Sequence, residues 1–92
     1  MAAKHFEIRA GEKKAVVDRR SGSVPREYVL TVLAAAGGAV TGSVEIQGSR
    51  WLSRKEPVIV PLAAEVRVYK GFWDTLFRVH VTPDQDTTVT VR

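Results

Sequence analysis

Tyr28-Val29-Leu30-Thr31-Val32-Leu33-Ala34-Ala35-Ala36, then Gly37-Gly38, then Ala39-Val40-Thr41-Gly42-Ser43-Val44-Glu45-Ile46-Gln47, is the stretch whose reading decides the fold. Its second arm alternates apolar and polar residues, the period of a strand with one wet face. The first arm is apolar on both faces, so a strand here needs cover on two sides. Gly37-Gly38 between the arms reads as a hairpin turn, because two-residue loops require positive φ. A helix competes over residues 25–36. Ser23 could cap it, Pro25 suits its first turn, Ala34-Ala35-Ala36 favour it and Gly37 would stop it. Val29, Thr31 and Val32 favour the strand, which is preferred because the second arm has no other obvious partner. Two registers stay open. A two-residue loop pairs Leu33 with Gly42 and Thr31 with Val44; a three-residue loop with a glycine bulge pairs Leu30 with Val44 and Val32 with Gly42. The second register sets Tyr28, Leu30, Val32 and Ala34 against Val40, Val44 and Ile46.

Working outward, the same period-two pattern recurs. Phe6, Ile8 and Ala10 share one face before Gly11, and Val16-Val17 centre a short strand over residues 13–18. Val58-Ile59-Val60-Pro61-Leu62 reads as a short strand whose proline suggests an edge or a bulge. Val66 and Val68 lie opposite Glu65, Arg67 and Tyr69. Trp73, Thr75, Phe77, Val79 and Val81 form an inward row. After the turn Pro83-Asp84-Gln85-Asp86, Val89 and Val91 point inward and the threonines outward. Short strands at roughly 8–12-residue spacing predict an all-β single domain over residues 1–92. The expected form is an antiparallel β-sandwich, Ig-like or jelly-roll-like, or a small barrel, of seven to eight strands.

The chain has 92 residues, 45% hydrophobic and 26% charged, which is the composition of one folded domain and not of a disordered segment. It has no cysteine, so disulfides and thiolate metal sites are excluded. No apolar run reaches the roughly 20 residues of a membrane helix, and the first residues have no apolar signal core. The expectation is therefore cytoplasmic synthesis without a signal peptide, and no membrane partner. The net charge of +4 is unevenly placed. Residues 1–26 hold seven basic side chains against three acidic ones, whereas residues 27–92 hold seven of each. The basic N-terminal arm makes Lys13, Lys14, Arg19, Arg20 and Arg26 candidates for contact with a polyanion or an acidic surface, against the alternative of a solubilising arm.

Nothing in the chain spells out a catalytic site. His5 and His80 sit on polar faces without a nucleophile nearby. Asp84 and Asp86 are turn chemistry, and too few oxygen ligands surround them for calcium. The glycines lack the Lys-Ser/Thr of a phosphate loop. The expectation is no enzyme, no cofactor, no metal and no small-molecule substrate. Trp51 among Arg50, Arg54 and Lys55 suits a protein hot spot or a nucleic-acid surface, or else caps one end of the sandwich. Phe72 is the exposed-looking member of Tyr69, Phe72 and Trp73; Trp73 is in phase with the core. Val29 and Leu33 occupy the second apolar face of the first arm, a face that a partner or a second copy would cover.

Two resemblances follow. The run Val44-Glu45-Ile46-Gln47-Gly48, Glu56-Pro57-Val58-Ile59-Val60-Pro61-Leu62 and Glu65-Val66-Arg67-Val68-Tyr69-Lys70-Gly71-Phe72 resembles the strand order of PEGA-type β-sandwich modules. It lacks their defining tetrapeptide and inserts the Trp51 loop, so it implies a fold only. The whole chain, with its Gly/Ala/Thr/Val-rich centre and threonine-rich end, is similar in style to small all-β decoration or cement proteins of tailed-phage virions. That resemblance implies a structural protein docked on a capsid or tail shell. The leading expectation is accordingly a non-enzymatic module bound to a larger protein assembly, to itself as a homo-oligomer, or to both. A nucleic-acid-binding barrel using the basic third and the Trp51 loop is the alternative, and a carbohydrate-binding module the third.

Overall fold

A computed structural model describes residues 3–20, 25–50, 53–54, 56–71 and 74–92; for residues 20, 49–50, 53–54 and 74–75 it describes the backbone alone. The strands are β1 (Lys4–Ile8), β2 (Lys14–Arg20), β3 (Arg26–Ala34), β4 (Gly42–Arg50), β5 (Ser53–Arg54), β6 (Val58–Pro61), β7 (Glu65–Lys70), β8 (Asp74–Pro83) and β9 (Thr87–Val91). They form two antiparallel sheets packed face to face. One has the order β1-β9-β3-β7; the other runs β2-β8-β4, with β5 and β6 both along the outer edge of β4. The expected β-sandwich is the fold. Among the described residues the strand tally reaches nine because the two-residue β5 lies in what reads as a loop.

Residues 26–34 are a strand, which removes the helical alternative. The hairpin, however, is not there. β3 pairs with β7 and β9, and β4 pairs with β8, β5 and β6, so the two arms lie in opposite sheets. Both registers suggested for Gly37-Gly38 are therefore corrected: residues 35–41 form an arch over the end of the sandwich. The two glycines do supply positive φ, +79° and +87°, but they turn the chain from one layer to the other. Gln85, in the neighbouring arch between β8 and β9, pins this crossing. Its Nε2 donates to the Ala39 carbonyl at 2.8 Å, and its Oε1 accepts from the Thr41 hydroxyl at 3.3 Å. Gly42 then begins β4 at φ +144°, where a Cβ would press on the Thr82 carbonyl oxygen and sit 2.7 Å from the Pro83 Cα.

The inward rows were nevertheless legible. Tyr28, Leu30 and Val32 from β3 meet Val44 from β4 across the layers, and Phe77, Val79, Val81, Val89 and Val91 complete the core. Val40 and Ile46 pack against it, half-buried. Two details depart from simple alternation. Val16 and Val17 are both buried because the β2–β8 register shifts between Ala15 and Val17, a bulge that turns two successive side chains inward. Thr87 points inward with Val89 and Val91, so not every threonine of β9 faces out. No helix among the described residues is long and apolar enough to cross a membrane.

Candidate anion-binding cleft

Several inward rows of the sandwich finish on a cation, and the register brings these cations to one end. In β3 the row is Arg26, Tyr28, Leu30, Val32; in β7 it is Val66, Val68, Lys70, with Lys70 directly opposite Arg26. Lys4 is in phase with Phe6 and Ile8 and pairs with Val91, which is also the partner of Leu30. Arg19 is in phase with Val17 and lies opposite Phe77. A long basic side chain suits such a rim position, because its aliphatic stem covers apolar neighbours while its head reaches water. Lys70 departs from this pattern: it is 2% exposed, and its Nζ donates to the Gly71 carbonyl at 3.4 Å.

At this end, between β1 and β2, lies a cleft of about 420 Å³ lined by Lys4, Arg19, Arg26 and Arg92 together with Tyr28, Val16, Val17 and Val91. Tyr28 organises it. Arg19 Nε donates to the Tyr28 hydroxyl at 3.2 Å, joining one sheet to the other. The Arg26 guanidinium carbon stands 4.7 Å from the centroid of the same ring, a cation–π contact. The ring also stacks on Phe77, centroids 5.9 Å apart and planes 15° from parallel. Two arginines are thus held in place by an aromatic side chain that is itself locked in the core.

Among the described residues, three other cations have acidic partners. Lys13 reaches Glu45 at 2.9 Å, Arg67 reaches Glu27 at 3.0 Å and Glu65 at 3.6 Å, and Arg78 reaches Asp18 at 3.4 Å. Among the described residues no carboxylate lies within ion-pair distance of Lys4, Arg19, Arg26 or Arg92. Asp18 lines the cleft but is paired in register with Arg78 on the outer face. The described lining therefore carries four cations against one carboxylate, that of Asp18, an excess of positive charge of the kind that attracts an anion.

The remaining candidates from the sequence separate. Lys13 lies on the outer face of the second sheet, where its hydrogen bond outweighs the opposing effect of burial and, with smaller help from the Lys13 and His80 charges, holds the Glu45 carboxyl below its usual range. Lys14, opposite Val81, is at the arch end, away from the cleft. The Arg20, Arg50 and Arg54 backbones belong to the cationic end, since Arg20 lies opposite Leu76, Arg50 opposite Asp74 and Arg54 opposite Ser49. Trp51, Lys55, Phe72 and Trp73 fall outside the described residues. Lys4, Tyr28, Lys70 and Arg92 were missed, although the phase of Lys4 and Lys70 within their alternating strands carried the signal.

The apolar second face of β3 is narrower than its sequence suggests. Val29 is half-buried beside Arg67, whose head is fixed between Glu27 and Glu65, and Leu33 alone stands well out at 67% exposure. The other exposed large hydrophobics, Val58, Ile59 and Tyr69, lie on β6 and β7 and not around Leu33. His5 and His80 occupy different sheets, and the His5 ring nitrogen pairs with the Thr90 hydroxyl at 3.0 Å. Among the described residues no three metal-ligating side chains converge. No protein-family model, curated protein or solved structure matches the chain.

Proposed function

We propose that the chain is a non-enzymatic interaction module that docks, cationic end first, on an acidic surface of a larger protein assembly, most concretely a virion capsid or tail shell. One observation carries the reading: Lys4, Arg19, Arg26 and Arg92 converge on a single cleft, and among the described residues no carboxylate lies within ion-pair distance of them. The apolar outer face of β3 contributes less, because scattered exposed hydrophobics are normal and only a contiguous patch calls for a partner. Self-association remains part of the proposal, since multi-copy decoration brings identical modules side by side.

Nucleic acid would be drawn to the same charges, but stacking needs a free aromatic face. Among the described residues that line the cleft the aromatic ring is that of Tyr28, which is 4% exposed and already engaged by Phe77 and Arg26. Co-sedimentation with assembled shells, at low and at high salt, tests the proposal. Binding at low salt, lost in Arg19→Glu/Arg26→Glu but kept in Lys13→Glu, is the expected result. A chain that stays in the supernatant at low salt, or that shifts single- or double-stranded DNA as strongly as it binds shells, contradicts it.

A further inference from the structure

We infer that the cleft takes an extended acidic peptide segment, with one carboxylate held between Arg19 and Arg26; this rests on the docking reading and specifies its ligand. Charge is the first reason. Arg19 spends its Nε on the Tyr28 hydroxyl, which leaves its two terminal nitrogens for an acceptor, and a guanidinium fork matches a carboxylate. Arg26 is pre-placed over the same ring, so less freedom is lost when an anion arrives.

The second reason is the cleft's mixed lining. Val16, Val17 and Val91 give it an apolar wall beside the cations, which suits a ligand carrying both apolar and acidic side chains. A bare phosphate has no use for that wall, and among the described lining residues a nucleobase finds no free ring. The third reason is position. β1 and β2 are the outer strands of their sheets, so the cleft opens between two strand edges that have no neighbour among the described residues. An extended peptide can use such an edge for main-chain hydrogen bonds while its alternate side chains enter the cleft.

Fluorescence polarisation with a labelled peptide of about ten residues alternating Glu and Val, long enough to run the length of such a strand, tests the inference at low salt. Saturable binding is expected, weakened roughly tenfold or more in the Gln-Val peptide and in Arg19→Ala and Arg26→Ala, the scale of a lost charged hydrogen bond. Arg19→Lys, which keeps the charge and loses the fork, should weaken it too, whereas Lys13→Ala stays within about twofold because its site is remote. Thermal melting of each variant confirms that it is folded. Equal binding of the Gln-Val peptide overturns the inference, as does indifference to both arginine substitutions. Competition by inorganic phosphate or an oligonucleotide at a concentration as low as that of the acidic peptide overturns it as well. Shell binding that survives while the peptide fails removes this ligand and leaves the docking reading standing.

Discussion

Thr87 shows what one hydroxyl in the wrong environment costs. It is 3% exposed, it faces the core beside Val89 and Val91, and its Oγ1 has no hydrogen-bond partner among the described residues. Thr87→Val keeps the shape and removes the orphaned polar atom, so stability should rise by about 1–2 kcal/mol. For a domain of this size that is a melting temperature roughly 4–8 °C higher per kcal/mol; an unchanged or lower melting temperature would show that the hydroxyl has a partner. Glu45 gives a pH-dependent counterpart on the surface. Its carboxyl is held below the usual range first by the hydrogen bond from Lys13, so the folded-state pKa lies beneath the unfolded one. The stabilisation is therefore present above the ordinary carboxylate range and is lost as pH falls through the depressed folded value. An NMR titration of the Glu45 side chain should show a midpoint below that of an exposed glutamate, and Lys13→Met should move it back up. A midpoint that ignores Lys13→Met would refute the assignment.

At the level of elements, the instructive case is the arch at residues 35–41. Gly37-Gly38 has the chemistry of a reversal, and the reversal occurs, yet local turn signals do not say whether the next strand returns to the same sheet or the facing one. That choice is made by distant partners: Thr87 to Val91 of β9 and Glu65 to Lys70 of β7 take both edges of β3. Inward rows such as Tyr28-Leu30-Val32 and Phe77-Val79-Val81 were readable because period two survives whatever the pairing. The cleft was half-readable on the same ground. Arg19 and Arg26 stood out as charges, but their convergence with Lys4 needs the pairing of β1 with β9 and of β9 with β3, which no local pattern carries. Gln85 is the tie that makes this crossing specific. Gln85→Ala removes its bonds to Ala39 and Thr41 and should cost about 1–2 kcal/mol. Amide exchange should quicken in the arch and spare the centre of β8. Uniform quickening, or none, would mean that the arch is held by other contacts.

Over the whole molecule, the chain passes from one sheet to the other at almost every connection; only β4, β5 and β6 follow one another within a sheet. This shuttling brings the finish of one strand and the start of the next to the same end of the sandwich, which is how Lys4, Arg19, Arg26 and Arg92, far apart in sequence, come to share a cleft. The opposite end carries the arch, with Glu12, Asp84 and Asp86 beside Arg9, Lys13 and Lys14, a balanced set. The proposed function rests on that polarity: the cationic end would meet an acidic partner and leave the arch end free. Backbone amide shifts recorded while an acidic Glu-Val peptide is titrated in at low salt test this most directly. The account predicts that shifts concentrate at Lys4, at Val16 to Arg19, at Arg26 to Tyr28 and at Val91 and Arg92, and that they vanish at high salt. Shifts centred on the arch and on Asp84 to Asp86, or no shifts at all, would contradict it.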